Sequence, residues 1–139
     1  MNIFKSQPDF FSEKVWKGRK QQYINSKLSE GKNQNSFIFF DRGLHDVVAY
    51  LECTGVRYDP QKYNLSDFRY DMVILLPPWK AIYTKDKERN ESFDEAENLY
   101  FYIRNTYQKN NIPIVEIPFQ CPEVRISTLL NYLDDEKTG

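Results

Sequence analysis

Histidine is almost missing from this chain: His45 is the only one among 139 residues. A Ser/His/Asp set cannot be assembled around it, and no spacing of His, Cys or carboxylates matches a metal site. Cysteine is nearly as scarce. Cys53 and Cys121 stand far apart, with no CxxC or Cys/His cluster around either, which points to two reduced thiols and gives a disulfide no support. No apolar run approaches the length needed to cross a bilayer. Asp9 and Glu13 interrupt the N-terminal stretch, so it does not read as a signal peptide. A surplus of basic charge is absent as well: the formal net charge is -1, which argues against a general nucleic-acid binder. The expectation is a cytoplasmic protein with neither nucleic acid nor membrane as a partner.

What is abundant is aromatic. Ten Tyr and ten Phe against five Gly describe a packed globular chain, long enough for one domain with a core. The domain is expected over 1–133, followed by a frayed polar tail over 134–139. No internal repeat or low-complexity tract is visible.

The pattern along the chain alternates helix and strand. A first helix is expected from Pro8 to about Leu28, with Phe11, Val15, Ile24 and Leu28 on one side. A polar loop, Glu30 to Ser36, leads to a short buried strand, Phe37 to Phe40. Leu44, Val47, Val48 and Leu51 follow at i, i+3, i+4, i+7 spacing and predict an amphipathic helix. A short helix is expected near Gln61 to Phe68. Met72 to Leu76, closed by Pro77-Pro78, reads as a central parallel strand covered on both faces. Ser92 and Glu95 form a capping box ahead of a long helix with Phe93, Ala96, Tyr100, Ile103 and Tyr107 inward. Ile112 to Ile117, framed by prolines, predicts an edge strand. Pro122 opens a last helix with Ile126, Leu129, Leu130 and Leu133 on one face. Such alternation predicts an α/β fold with a parallel sheet and helices on both faces.

Two constellations carry candidate chemistry. The first is Asp41-Arg42-Gly43, set directly after the Phe37–Phe40 strand. At the C-terminal mouth of a parallel sheet, Asp41 can hold Mg²⁺ through water or accept a proton from a substrate hydroxyl, and Arg42 can meet phosphate oxygens with its planar fork. The alternative is that Asp41 caps the Leu44 helix while Arg42 pairs with Asp46. The second constellation is Lys85-Asp86-x-x-Arg89, a cationic connection between a strand and a capped helix, suited to closing over a nucleotide. Its alternative is a solvated surface with helical salt bridges. His45 is expected to be a partly exposed helix residue. Trp79 reads as a plug at the end of the sheet, with base stacking as the other option. Arg125 can approach a purine or form a surface ion pair.

Four segments together resemble a known family: Phe39-Phe40-Asp41-Arg42-Gly43-Leu44-x-Asp46-Val47-x-x-Tyr50; Tyr70-Asp71-x-Val73-x-Leu75-Leu76-Pro77-Pro78-Trp79; Asp86-x-x-Arg89-x-x-Ser92-Phe93-x-x-Ala96; and Val115-x-Ile117-Pro118 followed by Val124-Arg125. In this order, from about Pro8 to Leu133, they resemble the NadR-type AAA-domain P-loop ATPases and kinases. The resemblance implies a P-loop NTPase-like three-layer fold, ATP and Mg²⁺ as cofactors, and a small-molecule substrate. It places Asp41 as a magnesium-associated or base-like acid, Arg42 as a substrate or phosphate contact, and Lys85 and Arg89 in the lid over the nucleotide phosphates.

One part of that pattern is missing. No GxxxxGK[ST] segment occurs in the chain, and the strand, glycine-rich loop and helix with which family members begin are absent from it. The expectation is therefore a truncated, inactive nucleotide-binding domain whose site would be completed by an N-terminal βα unit. The alternative is a non-enzymatic remnant that associates with itself or with another protein through exposed strands.

Overall fold

The computed structural model describes residues 8–28, 37–79, 92–117 and 122–138. Within them the element order is α1 (Pro8–Leu28), α2 (Leu44–Thr54), β1 (Val73–Leu75), α3 (Phe93–Lys109), β2 (Ile114–Glu116) and α4 (Pro122–Thr138). The expected α/β architecture with a parallel sheet is present, and it is consistent with a P-loop NTPase-like fold. Among the described residues the sheet has two strands, with β1 and β2 parallel and Val73 opposite Ile114. No described helix is long and apolar enough to cross a membrane.

Helix α2 is the centre of the molecule. It is buried on two sides because Leu44, Val47, Val48 and Leu51 face α1 and its aromatic neighbours, while Ala49 joins Leu75, Ile103, Tyr107 and Ile112 in a second cluster. Gly55 ends it with φ at 73°, donating its N–H to Leu51 and Glu52 carbonyls, a left-handed cap that glycine adopts without strain. Helix α3 starts as its capping residues predict, with Ser92 Oγ accepting the Glu95 N–H at 3.2 Å. Ile103 and Tyr107 are buried along it, with Leu99 and Tyr100 packed beside them.

Several expectations are corrected. In α1 the buried face carries Ser12, Trp16 and Tyr23, whereas Ile24 and Leu28 are exposed. Aromatic packing turns the helix: Trp16 meets Tyr63 and Phe68 edge-on at 5.3 and 5.7 Å, and Tyr23 meets Phe68 at 5.2 Å. Phe37 to Phe40 is not a strand, and Phe37, Ile38 and Phe39 are exposed. A segment becomes a strand only when it enters a backbone hydrogen-bond ladder, and among the described residues the ladder joins β1 to β2. Phe40 alone turns inward, 5.3 Å from Tyr70. The strand expected over Met72–Leu76 is shorter, half-buried rather than covered on both faces, and ends before an exposed Leu76.

The helix expected near Gln61 to Phe68 is replaced by turns. The Asp59 and Asn64 carboxylate and amide oxygens accept the N–H groups of Gln61 and Ser66 at 2.9 and 3.0 Å, and such side-chain bonds compete with a helix. In α4, Leu133 is buried and Leu129 half-buried, but Ile126 and Leu130 are exposed, and the helix continues through Thr138 where a frayed tail was expected.

Candidate functional site

The Asp41-Arg42-Gly43 turn leads into α2, and its backbone is specified by what surrounds it. Arg42 takes a left-handed conformation, φ 71°, which costs a non-glycine residue about 1–2 kcal/mol. Gly43 has no room for a side chain: a Cβ there would collide with the Tyr107 hydroxyl and lie 3.1 Å from the Tyr70 ring. Gly43 is also the N-cap of α2 and supplies no side-chain cap. Its place is filled from elsewhere in the chain. The Leu44 N–H donates to Tyr70 Oη at 3.0 Å, and Arg19 Nη1 donates to the Gly43 carbonyl at 2.9 Å.

Asp46, in the first turn of α2, organises the charges. Its Oδ1 accepts a 2.7 Å hydrogen bond from the Tyr107 hydroxyl, and its Oδ2 lies 3.7 Å from Arg42 Nη1. The Arg42 side chain is 61% exposed and that of Asp46 only 12%. Burial lowers the pKa of Arg19, and the Asp46 charge opposes that shift. Burial, followed by the Asp46 charge and hydrogen bond, drives the Tyr107 phenol upward, so it remains a neutral donor. Burial also raises Tyr70.

His45 does not behave as a partly exposed helix residue. It is fully buried, stacked on Tyr107 with ring centroids 4.7 Å apart and edge-on to Tyr70 at 5.6 Å. Desolvation lowers its pKa to about 4, so the ring is neutral at pH 7. Neither ring nitrogen has a hydrogen-bond partner among the described residues. Apolar and aromatic neighbours on both flanks of α2 explain the burial, and no local pattern announces it.

The turn lies elsewhere than its sequence context predicts. Helices α2 and α3 run antiparallel: Asp46 meets Tyr107 at one end, and Asn98 meets Cys53 at 3.6 Å at the other. Tyr70 lies in the segment that leads into β1, and the Tyr107 carbonyl accepts the Ile112 N–H at the entry to β2. Asp41-Arg42-Gly43 thus packs beside the residues that lead into both strands, not at their C-terminal mouth. Among the described residues Phe37–Phe40 is not part of the sheet. Asp41 is exposed and does not cap α2, whereas the Arg42–Asp46 approach expected as the alternative is present. Lys85 and Arg89 lie outside the described residues.

Beyond the other end of β1, Trp79 carries the Arg125 guanidinium over its ring at 5.6 Å. Of the residues that build the turn, sequence spacing could pair only Arg42 with Asp46. Arg19, Tyr70 and Tyr107 come from three distant segments and carry no local signal.

The site offers a cation little. Among the described residues no group of three His, Cys, Asp or Glu could hold a metal ion. Asp41 supplies one hard carboxylate group, which suits a Mg²⁺ whose other ligands are water and phosphate. For phosphate, Arg42 is available as an exposed guanidinium, but the Leu44 N–H that an anion would meet at the helix N-terminus is already bonded to Tyr70.

Residues 4–125 fit the model of a family described as AAA domain. No curated protein and no solved structure matches the chain.

Proposed function

We infer function from the premise that this chain belongs to the AAA domain family, a P-loop, nucleotide-binding group, over residues 4–125. The reading it supports best is an ATP-binding ATPase or small-molecule kinase domain of NadR type. In that role Asp41 associates with Mg²⁺ or takes the proton of a substrate hydroxyl, and Arg42 meets phosphate oxygens. Lys85 and Arg89 neutralise charge on the nucleotide phosphates. ATP and Mg²⁺ would supply the phosphoryl group and its charge compensation. The family match carries this reading, and the exposed Asp41 and Arg42 side chains are compatible with it.

These 139 residues contain no GxxxxGK[ST] segment and so lack the row of N–H groups that cradles phosphates. We therefore expect weak Mg·ATP binding and little turnover from the chain by itself. Calorimetric titration of Mg·ATP into the wild type, Arg42→Ala and Arg89→Ala tests the assignment. Magnesium-dependent binding weakened about tenfold by either substitution is expected. Binding indifferent to both removes these arginines from the site.

A second reading, a non-enzymatic module that associates with itself or a protein partner, is favoured by one observation. Phe37, Ile38 and Phe39 are three consecutive exposed apolar residues. Absence of Mg·ATP binding together with a concentration-dependent dimer in sedimentation would support it. A monomer that binds Mg·ATP would exclude it.

A further inference from the structure

We propose that Asp46 and Tyr107 are positioning residues for the Arg42 guanidinium, holding it ready for an incoming phosphate-type anion. The inference rests on the anion-contact reading of Arg42 given above. Arg42 sits at the edge of the turn in a left-handed conformation, with its side chain largely in solvent. A solvated arginine samples many rotamers, and ordering it on binding costs conformational entropy. Asp46 limits that freedom by facing Arg42 Nη1 with Oδ2 at 3.7 Å.

Asp46 can do this because its other oxygen is anchored. Oδ1 accepts the Tyr107 hydroxyl at 2.7 Å, and the Tyr107 ring is fixed by stacking on the fully buried His45. The backbone carrying Arg42 is anchored separately, by Arg19 on the Gly43 carbonyl and by Tyr70 on the Leu44 N–H. The long Arg42–Asp46 approach is loose enough for the guanidinium to exchange one carboxylate oxygen for an anion without leaving its place. A tight bidentate pair would occupy the fork.

The test separates positioning from binding. In the first measurement, solvent exchange of the Arg42 guanidinium protons is followed by NMR in the wild type, Tyr107→Phe, Asp46→Asn and the control Tyr132→Phe, which alters an exposed tyrosine of α4. Exchange about fivefold faster in Tyr107→Phe and Asp46→Asn, and unchanged in the control, is expected. Unchanged exchange in Tyr107→Phe overturns the proposal, and this conservative variant decides the matter even if Asp46→Asn fails to fold.

In the second measurement, inorganic pyrophosphate is titrated into the wild type, Tyr107→Phe, Arg42→Ala and the double variant. A loss of about three- to tenfold in affinity from Tyr107→Phe that vanishes in the Arg42→Ala background is expected. The same loss in both backgrounds overturns positioning through Arg42. A wild type that binds no pyrophosphate overturns the anion reading itself, while the proton exchange still decides whether Asp46 and Tyr107 hold Arg42.

Discussion

His45 stacks on Tyr107 with ring planes 21° apart, and the same tyrosine donates its hydroxyl to Asp46. One aromatic residue from the C-terminal turn of α3 thereby packs on the first turn of α2 and holds its charge. The surroundings of the Asp41-Arg42-Gly43 turn therefore depend on a helix far away in sequence.

The histidine makes stability pH-dependent with a defined sign. Its folded pKa, about 4, lies below the ordinary value of 6.5, so between these limits the unfolded chain takes up a proton that the folded chain refuses. Stability is expected to fall as pH drops through that window. The single histidine gives a single imidazole resonance, and its titration midpoint should lie well below 6.5 in the folded protein. A midpoint near 6.5 contradicts the burial, and His45→Phe should flatten the pH dependence of urea unfolding.

Two glycines should respond in opposite directions. Gly43→Ala forces a Cβ onto the Tyr107 hydroxyl and the Tyr70 ring, with an expected loss of about 1–3 kcal/mol. Gly18 lies inside α1, and a Cβ added there would meet nothing within 4 Å, so Gly18→Ala should stabilise by about 0.5–1 kcal/mol. Urea midpoints of the two variants check both signs.

The orientation of α1 can be read from paired substitutions. Trp16→Ala removes a buried ring from between Tyr63 and Phe68 and should cost about 3–5 kcal/mol. Leu28→Ser, at a position 76% exposed, should change stability by no more than about 0.5 kcal/mol. A large loss from Leu28→Ser would restore the face expected from hydrophobic spacing.

Helix α3 depends on the residue that caps it. Ser92→Ala removes the acceptor for the Glu95 N–H and should lower stability by about 1 kcal/mol, with Ser92→Asp recovering most of it. Thermal unfolding followed by circular dichroism separates the two.

The cap at Ser92, the span of α2 and the β1 and β2 segments were legible because each is set within a few residues: a side chain and an amide three positions on, an apolar spacing, or a short apolar run. The Arg42–Asp46 approach was legible for the same reason, being one helical turn. The burial of His45, the rotation of α1 and the anchoring of Gly43 were not, since each depends on partners contributed by other segments.

By itself, then, the sequence determined where most helices and strands begin, the family, and the absence of a GxxxxGK[ST] segment from these residues, all properties of local chemistry and composition. Tertiary structure decided which faces are inside and which end of the strands lies beside the Asp41-Arg42-Gly43 turn. Phe37 to Phe40 shows why: its side chains are strand-like, but among the described residues it is in no strand ladder, and the turn that follows is placed by Arg19, Tyr70 and Tyr107.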